Sequence, residues 1–244
     1  MEPLPSSLVW LLLCVMRALG LVLTAPILSA RTVPGTVRLC VGLMLALAMF
    51  TSATPGALDP ATPLWVAAAR DTALGALTGF CARMALEAAQ VAGQLVAAAM
   101  GMSYGAMVSP GSGAESTAIG ELLGMAALGV GVALGLHREL ATWLVLSVQS
   151  HPPGGALDVR QEAAHALELS AHSLAMGIRL AFPMLTALTL AHIFLGLVGR
   201  TAAQLNLSSL GFSVTILCGG GVLYVTAPEI AAAAAHAAVA VVAR

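Results

Sequence analysis

Apolar residues run in long blocks separated by short polar or Pro/Gly-rich stretches, at positions 8–28, 39–53, 64–100, 118–136, 140–148, 163–198, 210–227 and 230–243. A helix crosses a bilayer in about 20 apolar residues at about 1.5 Å each. The blocks therefore predict membrane helices of uneven length: 64–100 and 163–198 exceed one crossing, and 140–148 falls short of one. Strict apolar/polar alternation is missing throughout, so the predicted fold is all-α, an integral membrane-associated bundle of helical hairpins. Connections are marked by Pro34-Gly35, Pro55-Gly56, Pro60 to Pro63, Pro110 to Gly113 and His151-Pro152-Pro153-Gly154-Gly155. Asp158, with Gln161 three residues later, predicts a helix start.

Polar positions inside these blocks are patterned too. Arg83, Glu87, Gln90 and Gln94 are spaced by four, three and four residues, which places them within an arc of about 60° at about 100° per residue. Ionised groups at membrane depth cost about 2.5 to 3.5 kcal/mol each, so this stripe predicts a seam facing protein or a water-filled path. Glu162, His165, Glu168, His172 and Arg179 form a second stripe over about 120°. Its i,i+3 and i,i+4 spacings suit a metal, but acids mixed with an arginine favour a charge-paired seam. Arg17 and Arg179 each fall mid-block, where a helix surrounded by lipid rarely tolerates them. Arg17, Arg83 and Arg179 are thus the candidate seam residues, buried against neighbours. Arginines at 31, 38, 70, 138, 160 and 200 are spread over nearly every connection and set no orientation. Gly75/Gly79, Gly120/Gly124 and Gly131/Gly135 are spaced for close helix packing.

Composition strengthens the membrane reading: 59% of residues are hydrophobic, 9% are charged, and the mean hydropathy is +0.95. No stretch is polar enough for a soluble appendage, and a single unit over 1–244 is expected. The formal net charge of -1 offers no basic footprint for nucleic acid. Cys14, Cys40, Cys81 and Cys218 lie in apolar runs without metal-like spacing and are expected to be buried small hydrophobes. The opening Met1-Glu2-Pro3-Leu4 lacks a positive n-region, so the first apolar block is expected to persist in the mature protein.

Two segments carry candidate chemistry. Gly101-Met102-Ser103-Tyr104-Gly105 spells the G-x-S-x-G elbow of serine hydrolases, which requires a preceding strand where this chain has a long helical pattern. An intramembrane hydrolase using Ser103 is therefore a minor alternative, as is a small-solute transporter, for which internal repeats are missing. The stretch 101–120 combines mobile glycines (Gly101, Gly105, Gly111, Gly113) with Met102, Met107, Tyr104 and Pro110, and Met100 precedes it. Adaptable thioethers on a flexible backbone suit a seal, and they equally suit a plain interhelical loop.

The order of motifs resembles the FliR/SctT family of type III secretion export-gate proteins, flagellar and injectisome, over nearly the whole length. Arg17, Ala25-Pro26 and Val33-Pro34 open the pattern. Gly75, Gly79-Phe80, Ala92-Gly93 and Gly101-x-Ser103 with Pro110 continue it, followed by His137, Ser147, Pro152-Pro153, Pro183 and 195–200 ending in Arg200. Gln204-Leu205-Asn206, Gly211-Phe212 and Gly219 complete it. Asp71, Ser109 and Ala203 depart from the family's usual Glu, Asp and Pro. The resemblance implies a non-enzymatic subunit, present once, in a helical channel complex with FliP/SctR-like and FliQ/SctS-like membrane proteins and an FlhB/SctU-like subunit nearby. It implies a place in the bacterial inner membrane and unfolded secreted proteins as cargo. Segment 101–120 would be the plug, and no cofactor, metal or nucleic acid is implied. The flagellar system is favoured over the injectisome on prevalence.

Overall fold

Seven helices account for most of the chain in the computed structural model, which describes residues 6–29, 33–52, 62–102, 118–155, 159–201 and 207–243. They are α1 (Ser6–Thr24), α2 (Gly35–Ser52), α3 (Leu64–Ala99), α4 (Ala118–Ala133), α5 (Leu136–Ser150), α6 (Val159–Thr201) and α7 (Leu207–Val242). No strand occurs among the described residues, so the fold is all-α. Among the described residues, four helices are long and apolar enough to cross a membrane (α1, α2, α6 and α7), and five spans result if the interrupted pair α4–α5 counts as one.

The helices follow the apolar blocks with two instructive differences. Blocks 210–227 and 230–243 are one helix, α7, with Pro228 inside it, as Pro183 lies inside α6. Proline removes one backbone donor, and membrane helices tolerate that because neighbouring groups re-satisfy the freed carbonyl. Block 140–148 is extended to α5, whose N-terminal boundary is Gly135 at φ +86°. Gly135 has no neighbour within 4 Å of where a Cβ would stand. The expected Gly131/Gly135 packing pair is thus corrected: Gly135 turns the chain in a left-handed conformation that glycine adopts freely.

The described residues fall into two compact units, neither continuous in sequence: Met1–Ala85 with Gly131–Ala171 and Ala237–Arg244, and Leu86–Val130 with His172–His236. The divisions fall inside helices, so no linker announces them. In the first unit α1 buries Trp10, Leu13, Cys14, Arg17, Ala18 and Leu21, a stripe at three- and four-residue spacing. Val9, Leu13 and Ala67 form a core against which Leu64 and Ala68 pack. In the second, α3 buries Ala88, Ala89, Ala92, Val96 and Ala97, while α4 buries Ile119, Leu123 and Ala127. Small side chains let these backbones approach closely.

Large apolar faces stay uncovered. Only 17% of the spanning windows of α2 and α6 is buried, and Leu43, Met44 and Leu47 of α2 and Phe182, Leu190, Phe194 and Leu197 of α6 are exposed. Cys14 and Cys81 are buried as expected, but Cys40 and Cys218 are exposed. That correction has the same origin, because both lie on helix faces that this chain leaves uncovered.

Candidate functional site

Two constellations stand out, one in each unit. The first begins with glycines. A Cβ at Gly75 would fall on the Arg17 carbonyl oxygen, one at Gly20 on the Thr72 carbonyl oxygen, and one at Gly79 on the Thr24 hydroxyl. Backbones of α1 and α3 therefore touch along Gly20, Gly75 and Gly79, which only residues without a side chain permit. At this crossing Arg17, 2% exposed, is enclosed by polar partners. Its Nε donates to Asp71 Oδ1 at 2.8 Å, and its Nη2 donates to the same oxygen. Its Nη1 donates to the backbone oxygen and Oγ of Ser147, both at 3.1 Å. Asp71 Oδ2 accepts the Gly154 N–H at 2.9 Å, with Gly154 at φ +79°.

One arginine thus ties α1, α3 and α5 together, and its carboxylate holds the turn after α5. A buried charge is stable only when paired and hydrogen-bonded throughout, and this one is. The node adjoins a cavity of about 90 Å³ lined by Arg17, Arg70, Asp71, His151 and Gly154. Its carboxylate is committed to Arg17 and Gly154, so the arrangement is a clamp.

The second constellation closes the C-terminal end of α3. The Gly101 N–H donates to the Ala98 carbonyl at 3.0 Å and the Met102 N–H to that of Ala97 at 3.0 Å, with Gly101 at φ +80°. This is the Schellman arrangement that ends a helix on a left-handed glycine. Met100, 3% exposed, lies against Gly219 of α7. Nearby, a Cβ added at Gly93 would stand 2.8 Å from the Gly120 Cα, and one added at Gly177 would stand 2.7 Å from the Ala88 carbonyl oxygen. A cleft of about 410 Å³ opens beside Met100, Gly101, His192 and Thr215. The loop leaves from here. Ser103, Tyr104, Gly105, Met107, Pro110, Gly111 and Gly113 lie outside the described residues.

The stripes are placed as follows. Arg83 is exposed in the first unit, while Glu87, Gln90 and Gln94 are half-buried in the second. Gln90 Cβ would stand 3.4 Å from a Cβ at Gly124. Glu162 is half-buried, and His165, Glu168, His172 and Arg179 are exposed. Of the candidate seam residues, Arg17 is buried within this chain, and Arg83 and Arg179 are exposed. Glu162, His165 and Glu168 line an open cleft, and no cluster of three metal-type ligands occurs among the described residues. Arg200 is exposed at the end of α6, whereas Gln204 and Asn206 lie outside the described residues. Asp71, Ser147 and Gly154 escaped the motif reading as one node. The available signal was the energetic need of a mid-helix arginine for a carboxylate.

The model of the family described as bacterial export proteins, family 1, matches residues 8–240, nearly the full chain. The chain belongs to this family. Members of the export family similar to it include the flagellar biosynthetic protein FliR of Escherichia coli, 30% identical over 91% of this chain and 85% of that protein. FliR of Caulobacter vibrioides is 26% identical over 88% and 87%, and FliR of Bacillus subtilis is 27% identical over 84% and 81%. The G-x-S-x-G string at 101–105 follows a helix, α3, where a nucleophile elbow requires a strand.

Proposed function

We propose that this chain is a non-enzymatic membrane subunit of the flagellar type III export gate, forming part of the channel through which unfolded proteins cross the bacterial inner membrane. The observation that carries the reading is family membership over almost the whole chain, with relatives named as flagellar biosynthetic proteins. The apolar faces of α2 and α6 support it, since they leave room for lipid and for membrane partners of the FliP/SctR and FliQ/SctS types, with an FlhB/SctU-like subunit close by. One copy of this chain would join several copies of those partners.

Segment 101–120 acts as the plug in this reading. It departs from a firmly capped helix end and carries the glycines and methionines of an adaptable seal. Opening is then a two-state displacement that arriving cargo biases by contacting the open state better than the closed one. Deleting 105–113 tests this. The complex should still assemble and the membrane should become leaky to ions, whereas unchanged conductance would refute gating.

A further inference from the structure

Arg70 precedes the clamp's carboxylate by one residue and takes no part in the clamp. It is half-buried on α3 and, unlike Arg17, has no hydrogen bond or ion pair with any described residue. With Asp71, Leu74, Ser150, His151 and Gly154 it lines the cavity of about 90 Å³, and all of these residues belong to the first unit. Both Asp71 oxygens already accept from Arg17 and Gly154, so the adjacent carboxylate is taken. Arg17 offsets Asp71 within the clamp, which leaves the cavity with one uncompensated positive charge. His151 stands on the opposite wall, on the turn after α5. Its Nδ1 lies 3.2 Å from Ser150 Oγ, and its Nε2 has no partner among the described residues.

We propose that this cavity is an oxyanion site that takes one phosphate group, with Arg70 as its charge partner and His151 as a hydrogen-bond donor through Nε2. A guanidinium offers five donors and no acceptor, and its planar fork meets phosphate oxygens two at a time. Imidazole carrying its hydrogen on Nε2 adds a donor from the other side. The volume equals a few water molecules, room for one tetrahedral oxyanion and too little for an attached sugar or base. The phosphate comes from a lipid headgroup or from free phosphate. Trp65, five residues earlier on α3, is 74% exposed, about 7.5 Å along the helix at about 1.5 Å per residue. Tryptophan settles at headgroup level, and a long arginine side chain reaches toward that level from deeper in the helix. Basic pockets between membrane helices bind lipid headgroups by the same chemistry. The site does not depend on the gate reading.

The test is binding to the tagged protein, purified in mild detergent and washed free of lipid. Inorganic phosphate is the first probe, read as the rise in Tm against chloride at equal ionic strength. Phosphatidylglycerol is the second, read as adducts in native mass spectrometry against a glycolipid without phosphate. The parent should bind at least one probe. Arg70→Gln should weaken that binding about tenfold or more, and His151→Ala about threefold. Arg179→Gln, which removes an exposed arginine outside the cavity, should match the parent. Arg70-dependent binding of the lipid alone names the headgroup as the ligand, and Arg70-dependent binding of inorganic phosphate names the free anion; either supports the site. A parent that binds neither probe would overturn it. So would equal losses in Arg70→Gln and Arg179→Gln, which mark general surface charge. Where Arg70→Gln gives no folded protein, His151→Ala decides: weakened binding supports the site and unchanged binding overturns it.

Discussion

Replacing Asp71 with alanine removes the one carboxylate bonded to Arg17 among the described residues. Arg17 is 2% exposed and Asp71 3%, so bulk solvent screens the pair little in the parent. Removing one partner of a buried ion pair costs about 3 to 5 kcal/mol, because the remaining charge stays buried without its counter-charge. Loss of the acceptor for the Gly154 N–H adds to this. For a chain of this size each kcal/mol moves Tm by about 2 to 4 °C, so a fall of about 6 to 20 °C is expected. Asp71→Asn keeps an oxygen for Gly154 and loses the charge, which places it between parent and alanine. Arg17→Met with Asp71→Leu removes both charges at similar volume and should recover most of the loss. The assay is a fluorescence-monitored thermal melt of the gel-filtered protein in mild detergent. Asp71→Ala melting within about 2 °C of the parent, or a double variant as unstable as the single, would refute the clamp.

Further outcomes follow from the same geometry. Gly75→Leu drives a side chain into the Arg17 backbone and should cost about 1 to 3 kcal/mol or more, whereas Gly129→Ala, with open space around it, should be neutral or up to about 1 kcal/mol stabilising; melting curves compare them. Maleimide added to the detergent-solubilised chain should label Cys40 and Cys218 and spare Cys14 and Cys81, with mass spectrometry of the adducts as the readout; labelling of Cys14 before Cys40 would contradict the burial pattern. Ser103→Ala should leave motility within about twofold of wild type on soft agar, since a nucleophile elbow requires a strand before it; loss of motility would revive the hydrolase reading.

Helix positions were legible because hydropathy blocks long enough to cross a bilayer have few alternative structures. Arg17 was legible as an anomaly, since its burial needs compensation, but its partner lies 54 residues away. Local spacing holds no information about which carboxylate the fold brings over. Continuity through Pro228 was hidden because a proline breaks water-exposed helices more readily than packed apolar ones. Gly135 carries the same spacing as a packing glycine and differs only in backbone angle, which composition does not encode. The seat of Met100 on Gly219 joins two residues from distant helices, each unremarkable in its own window. Exposure of Cys40 and Cys218 reflects which helix faces the chain itself leaves uncovered, which the apolar blocks do not encode.

The central claim is membership in a hetero-oligomeric export gate, and native mass spectrometry of the tagged protein, extracted from its host in mild detergent, tests it most directly. One copy of this chain with several copies of two other small apolar membrane proteins is the predicted result. A lone monomer or a homo-oligomer that persists across detergents would contradict it.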